Sequence, residues 1–143
     1  MKKLHVFWLV AIPLLIHECH SDHDTRHGKE SELITTASGL QYQSIQAGKG
    51  RSAQAGDTVL IYETASYRNG TVLYTNENSE RPISVLIGGN QATKGEDEGL
   101  RGMKEGEIRL MIIPPALSRR STYPPNLSPD SILVVRVLLD KIL

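Results

Sequence analysis

Hydrophobic and polar residues alternate with a period of two through most of the chain after Leu40, as expected for strands with one buried face. Six runs show this pattern, and they predict strands over residues 39–46, 58–67, 71–74, 83–87, 107–113 and 131–142. Asn69-Gly70 separates the second run from the third. Because both residue types tolerate a positive φ, this pair predicts a hairpin turn. The alternation therefore predicts an antiparallel sheet of five to six strands.

One stretch between the strands, residues 88–106, breaks the alternation and holds six of the twelve glycines. Within it, acidic side chains come first, at residues 96–98, and the basic ones, Arg101 and Lys104, come last, an order that suits a helix dipole. Leu100 and Met103 lie three residues apart, which places both on one helical face. We expect one short helix over residues 95–103, and because so short a helix is unstable in isolation, it must pack on the sheet. The predicted fold class is α+β.

The beginning of the chain has the pattern of an export signal. Lys2 and Lys3 precede an apolar run of 13 residues, 4–16. A membrane-spanning helix needs about 20 apolar residues, whereas the hydrophobic part of a signal peptide has the shorter length found here. We therefore expect residues 1–18 to be a signal peptide and the protein to reach the periplasm or the outer membrane.

Cys19, the single cysteine, directly follows this signal. Its position resembles the cleavage site of a bacterial lipoprotein, which implies lipidation of Cys19 and a membrane anchor. Glu18 departs from that pattern, since lipoprotein signals have a small residue before the cysteine. Ordinary secretion and a retained segment are the alternatives. Residues 19–37 are mostly polar and would form a tether between the anchor and a folded domain over residues 38–143.

Three histidines in the tether, His20, His23 and His27, are spaced three and four residues apart with two aspartates among them. This spacing would suit a zinc, nickel or copper site on one helical face. The alternative is a solvated spacer, because nothing in the segment fixes the ligands in space.

The folded domain lacks the residues that most enzymes use for covalent or metal chemistry. From Gly28 onward the chain has no His, Cys, Trp or Phe. This composition excludes Ser-His and Cys-His nucleophilic catalysis in the domain, and also thiolate and imidazole metal sites. The formal net charge is zero, which gives no reason to expect a nucleic-acid partner. We expect a monomer without a cofactor.

Several short motifs in the domain occur together in one known family. They are Gly39-Leu-x-Tyr42, Gly48-Lys-Gly50, Gly56-Asp-Thr-Val-Leu-Ile-Tyr62, Gly95-x-x-Glu-Gly-Leu-x-Gly-Met103 and Ile113-Pro-Pro115. In this order and spacing, the chain from about residue 39 to residue 143 resembles the FKBP-type peptidyl-prolyl cis-trans isomerases. The resemblance implies an antiparallel half-barrel wrapped around one short helix, with a ligand pocket between the helix and the sheet.

The resemblance also implies a function that this composition allows. Rotation about an X-Pro bond needs no nucleophile, acid, base or metal, because its barrier of about 20 kcal/mol is mostly amide resonance. The implied function is isomerisation of proline-containing polypeptides, as a protein-folding helper of the bacterial cell envelope. The alternative is a non-catalytic module of the same fold that binds a peptide or a partner protein.

Carried over position by position, the resemblance also predicts a substrate pocket. Its residues would be Tyr62, Leu73, Tyr74, Ile83, Ala92, Thr93, Glu96, Arg119 and Val135. Only Tyr62 keeps the family's residue; Glu96 replaces the Trp of the pocket floor, and Arg119 replaces a Tyr that donates to the bound carbonyl. We therefore assign no catalytic residue and expect weak activity. Glu96 and Arg119 either pair across the pocket or point to solvent.

Overall fold

The computed structural model of the protein describes residues 31–143. The predicted signal peptide, Cys19 and the three tether histidines lie outside the described residues. The strands are β1 (Ile34–Thr35), β2 (Gln41–Gln46), β3 (Lys49–Ser52), β4 (Thr58–Tyr67), β5 (Val72–Thr75), β6 (Ile83–Leu86), β7 (Lys104–Glu105), β8 (Ile108–Ile113) and β9 (Leu133–Ile142). The helix is α1 (Lys94–Leu100), and a 3₁₀ turn at Pro115–Leu117 follows β8.

Seven of the strands in the described part of the chain form one antiparallel sheet. Its order is β1-β2-β8-β9-β4-β5, and β6 also pairs with β4, while β3 and β7 form a separate two-stranded ribbon. The predicted α+β class is confirmed by this sheet and its single short α-helix. The strands that the sequence did not predict are two to four residues long and lie at the edge of the sheet or in the separate ribbon. β1 pairs with β2, so the sheet extends into the segment expected to be a tether.

The core lies on one face of this sheet. Alternate residues of β4, β8 and β9 point toward it, as the burial of Ile61, Met111 and Val137 shows. β4 and β9 pair along most of their length, with Ala65 opposite Val135. The long central pair therefore forms the middle of the core face of the sheet.

Two glycines allow α1 to lie directly on β8. A Cβ atom on Gly95 would lie 2.5 Å from Cγ2 of Ile113, and one on Gly99 would lie 2.4 Å from Sδ of Met111. Both distances are well below van der Waals contact, so a larger residue would have to displace the branched Ile113 side chain at position 95 or the flexible end of Met111 at position 99. The helix begins after Thr93, whose hydroxyl accepts a hydrogen bond from the Glu96 N–H.

The helix ends at Leu100, so the predicted end at Met103 is wrong. Arg101 already has extended backbone angles, and Gly102 has a positive φ of 80°. Met103 is nevertheless fully buried, as is Leu100, so both residues face the core as predicted. A three-residue spacing occurs in tight turns as well as in helices, and the pattern alone could not separate the two.

The positively charged side chain at the C-terminal end of α1 belongs to a residue of β8. Arg109 donates through Nη1 to the carbonyl oxygens of Gly99 at 2.8 Å and Arg101 at 3.1 Å. Arg109 is buried together with Glu107, and its Nη2 lies 2.7 Å from Oε1 of Glu107. The guanidinium of Arg109 also stacks over the Tyr42 ring. The free carbonyls that end a helix are therefore satisfied by a strand residue. Arg101, expected in this role, instead pairs with Asp97 on the outer side.

We predict that Leu100→Ala lowers the free energy of unfolding by about 2–5 kcal/mol, the usual cost of truncating a buried leucine. Leu100 is fully buried between α1 and the sheet. Equilibrium unfolding in urea measures the change. Leu86→Ala, at a side chain that is 39% exposed, is the control and should cost much less. A loss below about 1 kcal/mol at position 100 would contradict the packing described here.

Candidate functional site

A cavity of about 180 Å³ lies between α1 and the core face of the sheet. β4, β5, β6, β8, β9, the start of α1 and the loop after the 3₁₀ turn all contribute to its wall. The lining residues are Glu63, Ala65, Tyr74, Ile83, Val85, Gln91, Ala92, Thr93, Glu96, Ile113, Arg120, Leu133 and Val135. A larger cleft beside it is lined by polar residues on the outer side of α1 and lies away from the core face.

The structure brings six of the nine predicted pocket residues together around this cavity. They are Tyr74, Ile83, Ala92, Thr93, Glu96 and Val135. Leu73 packs against the hydrophobic core without lining the cavity. Tyr62 and Arg119 do not line the cavity. The next residue in the chain does so in each case, Glu63 after Tyr62 and Arg120 after Arg119.

Glu63 lines the cavity where Tyr62 was expected. Along β4, Ile61 and Glu63 are buried on the core face, and Tyr62 between them points to the opposite side. There it lines a separate groove with Arg136 and Leu138. The signal that could have found Glu63 is the alternation itself, since Val59, Ile61 and Glu63 share one face of a strand.

Arg120, and not Arg119, is the cation at the cavity. It lines the wall, and its backbone N–H donates to the Tyr123 hydroxyl at 3.3 Å. Arg119 is exposed and does not line the cavity. The ion pairs found within residues 31–143 do not include one between Glu96 and Arg119. The loop follows a short 3₁₀ turn, so the strand alternation that places other residues does not apply to it.

Glu63 is the most unusual group in the cavity because it is a carboxyl group that is only 9% exposed. Its backbone is fixed by Asn76, whose Oδ1 accepts from the Glu63 N–H at 2.6 Å and whose N–H donates to the Glu63 carbonyl at 3.0 Å. Its Oε2 is buried and has no hydrogen-bond partner among residues 31–143. The Glu63 carboxyl lies within hydrogen-bonding reach of Glu96.

Burial raises the pKa of Glu63, and the charge of Glu96 together with a hydrogen bond to it raises the pKa further, to about 9. Arg120 acts in the opposite direction but does not cancel these effects. At neutral pH Glu63 is therefore a neutral acid that can donate its proton to the Glu96 carboxylate. This hydrogen bond joins α1 to β4 across the cavity.

Within residues 31–143, no group of three or more His, Cys, Asp or Glu residues is arranged to hold a metal ion. The same part of the chain contains no helix that is long and apolar enough to cross a membrane.

We predict that the protein loses stability as the pH rises from about 5 to about 8 and that Glu63→Gln removes much of this loss. The folded state holds the Glu63 proton up to a pKa of about 9, whereas the unfolded chain releases it near the ordinary value of 4.5. Folding therefore favours the protonated form of Glu63. The stability that this preference gives to the folded protein decreases as the pH rises. Thermal unfolding followed by circular dichroism measures this. If the thermal unfolding midpoint of the wild-type protein rose over this pH range in parallel with that of Glu63→Gln, the presence of a buried neutral acid at Glu63 would be contradicted.

The sequence matches the family model described as FKBP-type peptidyl-prolyl cis-trans isomerase over residues 49–140. The chain is 32% identical over 111 residues to the peptidyl-prolyl cis-trans isomerase Mip of Chlamydia muridarum, covering 78% of this chain and 44% of Mip. It is 32% identical over 116 residues to FkpA, an FKBP-type peptidyl-prolyl cis-trans isomerase of Escherichia coli, covering 80% of this chain and 42% of FkpA. The chain thus spans less than half the length of these curated relatives.

Solved structures show the same fold. The crystal structure of FkpA from Escherichia coli superposes with a TM-score of 0.70 at 30% identity, covering 80% of this chain and 53% of that one. The crystal structure of AtFKBP13 superposes with a TM-score of 0.65 at 26% identity, covering 76% of this chain and 96% of that one. Sequence and structure agree that this chain belongs to the FKBP-type peptidyl-prolyl cis-trans isomerase family.

Proposed function

We propose that the protein catalyses cis-trans isomerisation of X-Pro bonds in polypeptides and so assists protein folding. The observation that carries this proposal is the family match over residues 49–140, which includes the helix and most strands that enclose the cavity. The relatives named above are peptidyl-prolyl cis-trans isomerases. A cavity of about 180 Å³ has room for one side chain, whereas sites for drug-sized ligands measure roughly 300–1,000 Å³.

The walls of the cavity suggest how it would act on an amide. Ile83, Val85 and Val135 form an apolar side against which a proline ring could lie. As an amide twists it loses resonance and charge separation, so surroundings that exclude water favour the twisted form over the planar one. Glu63 and Glu96 work against this effect because they bring polarity into the cavity. The proposed activity is therefore weak.

We predict that the protein accelerates prolyl isomerisation in a short peptide, with a kcat/KM below that of Escherichia coli FkpA measured in parallel. Ala92→Trp fills the cavity and should abolish the activity, because Ala92 lies in its wall. Ala116→Trp is the matched control, since Ala116 is exposed and lies outside the cavity. Equal loss in both variants, or no acceleration by the wild-type protein, would contradict the proposal.

A non-catalytic module that binds a peptide or a partner protein is the second candidate. The observation that favours it is the buried carboxyl pair, Glu63 and Glu96, in a cavity that an isomerase would keep apolar. Peptide binding that Ala92→Trp abolishes, without acceleration of isomerisation by the wild-type protein, would support this candidate over the enzyme.

We also propose that the protein is exported to the bacterial cell envelope and anchored there by lipid on Cys19. The support is the apolar run of residues 4–16 and the single cysteine three residues beyond its end. One acyl chain binds a membrane only marginally, so stable anchoring would need the full lipoprotein modification.

Cys19→Ser should move the protein from the membrane fraction to the soluble fraction of cells that express it, because the side chain that carries the lipid is lost. Immunoblotting of the separated fractions measures the shift. His20→Ala, at the neighbouring residue, is the control and should stay with the membranes. A Cys19→Ser protein that remains in the membrane fraction would show that the anchor is not lipid on this residue.

A further inference from the structure

The loop of residues 118–132, between the 3₁₀ turn and β9, supplies one side of the cavity by placing Arg120 in its wall. The loop contains no helix or strand, and most of its residues are exposed. An exposed segment of this length gains little stability from contacts within itself, whereas ordering its backbone is costly. Contacts with the rest of the molecule must therefore fix its position.

Tyr67, the last residue of β4, makes the long-range hydrogen bonds that reach this loop in the described part of the chain. Its hydroxyl donates to the Asn126 carbonyl oxygen at 2.7 Å and accepts from the Ser128 N–H at 3.0 Å. The other hydrogen bonds of the loop within residues 31–143 stay inside residues 115–131. One hydroxyl therefore ties the loop to the sheet, and it uses both its donor and an acceptor site to do so.

Leu127 lies between the two bonded residues and packs against the hydrophobic core, as does Tyr67 itself. Apolar contact is not directional, so the Leu127 side chain can keep the loop near the sheet without fixing its exact position. The two hydrogen bonds of Tyr67 fix both a distance and a direction. The position of the loop therefore depends on the hydroxyl more than on the apolar contact.

The tie to the sheet reaches Arg120 through a stiff stretch of the loop. Pro124 and Pro125 have fixed φ angles, and the Leu127 N–H closes a turn by donating to the Pro124 carbonyl oxygen at 3.0 Å. The next residue toward the cavity, Tyr123, accepts a hydrogen bond from the Arg120 N–H through its hydroxyl. Arg120 therefore keeps its place in the cavity wall only while this stretch is held against the sheet.

We propose that Tyr67 is a positioning residue of the site, whose hydroxyl holds the loop where it forms one side of the cavity. Tyr67 does not line the cavity, so it acts through the loop and does not contact the substrate. Without the hydroxyl, the loop leaves the sheet in a larger fraction of molecules, and water enters the cavity from that side. The effect on catalysis rests on the proposed function, whereas the position of the loop can be measured independently of it.

Limited digestion with trypsin measures how often the loop leaves the sheet. Arg119 and Arg120 are exposed residues of the loop at which trypsin can cut, and mass spectrometry identifies the fragments. Tyr67→Phe removes the hydroxyl and keeps the ring. Because cleavage follows the population of the open form, we expect this variant to be cut in the loop about fivefold faster than the wild-type protein, as the loss of two neutral hydrogen bonds implies.

Two control variants separate the loop from the rest of the fold. Tyr62→Phe, on the same strand, removes a hydroxyl from the opposite face of the sheet and should not change the cleavage rate. Leu100→Ala destabilises the whole fold and should not speed cleavage in the loop if the loop opens by itself. Cleavage of Tyr67→Phe at the wild-type rate, or equal acceleration in either control, would overturn the inference.

Isomerase kinetics test the effect on the site. Tyr67→Phe should raise KM at least about twofold and leave kcat unchanged, because substrate binds only those molecules in which the loop is in place. Partial unfolding would instead lower the apparent kcat and leave KM unchanged. Tyr62→Phe should match the wild-type protein in both constants. An unchanged KM in Tyr67→Phe, or a loss in kcat alone, would overturn the role of Tyr67 in the site.

The two measurements keep this inference distinct from the proposed function. Faster loop cleavage in Tyr67→Phe, without isomerisation by the wild-type protein, would sustain the hold of Tyr67 on the loop and end the proposed enzyme function. Isomerisation by both proteins with the same KM and the same rate of loop cleavage would sustain the enzyme and end the role of Tyr67.

Discussion

The close approach of α1 to β8 is the constraint on which the rest of the structure depends. Gly95 and Gly99 have no side chain to hold the helix away from Ile113 and Met111. Arg109 then ties the end of the helix to the same strand through the carbonyls of Gly99 and Arg101. Because a helix seven residues long has little stability of its own, these contacts fix both its position and its rotation.

The rotation of the helix determines what lies over the cavity. Glu96 follows Gly95 and is carried to the cavity wall, while Asp97 turns outward to Arg101. From the opposite side, the alternation of β4 delivers Glu63 to the same space. Two rigid elements therefore hold two carboxyl groups together, and neither side chain can reach solvent as easily as it would on a loop. This arrangement makes the cavity acidic and accounts for the weak isomerase activity that we propose.

Much of the fold could be predicted from the sequence, because period-two alternation and glycine positions are local signals. Six of the strands and the burial of Leu100 and Met103 followed from them. The site was harder, because a shift of one residue along a strand reverses the face of every side chain. Matching Tyr62 by residue type placed the pocket wall on the wrong side of β4, and Glu63 was missed although the alternation indicated it. Arg120 could not be chosen over Arg119, since the loop that carries both has no periodicity.

The chemistry of the cavity depends on the acid pair, and the protonation of Glu63 can be observed directly. The measurement is an NMR titration of the side-chain carboxyl carbons with ¹³C-labelled glutamate, with Glu63 and Glu96 assigned through Gln substitutions. We predict that the Glu63 signal shifts with a midpoint near a pKa of about 9. A Glu63 signal that titrates near the ordinary value of 4.5 would contradict the buried acid pair.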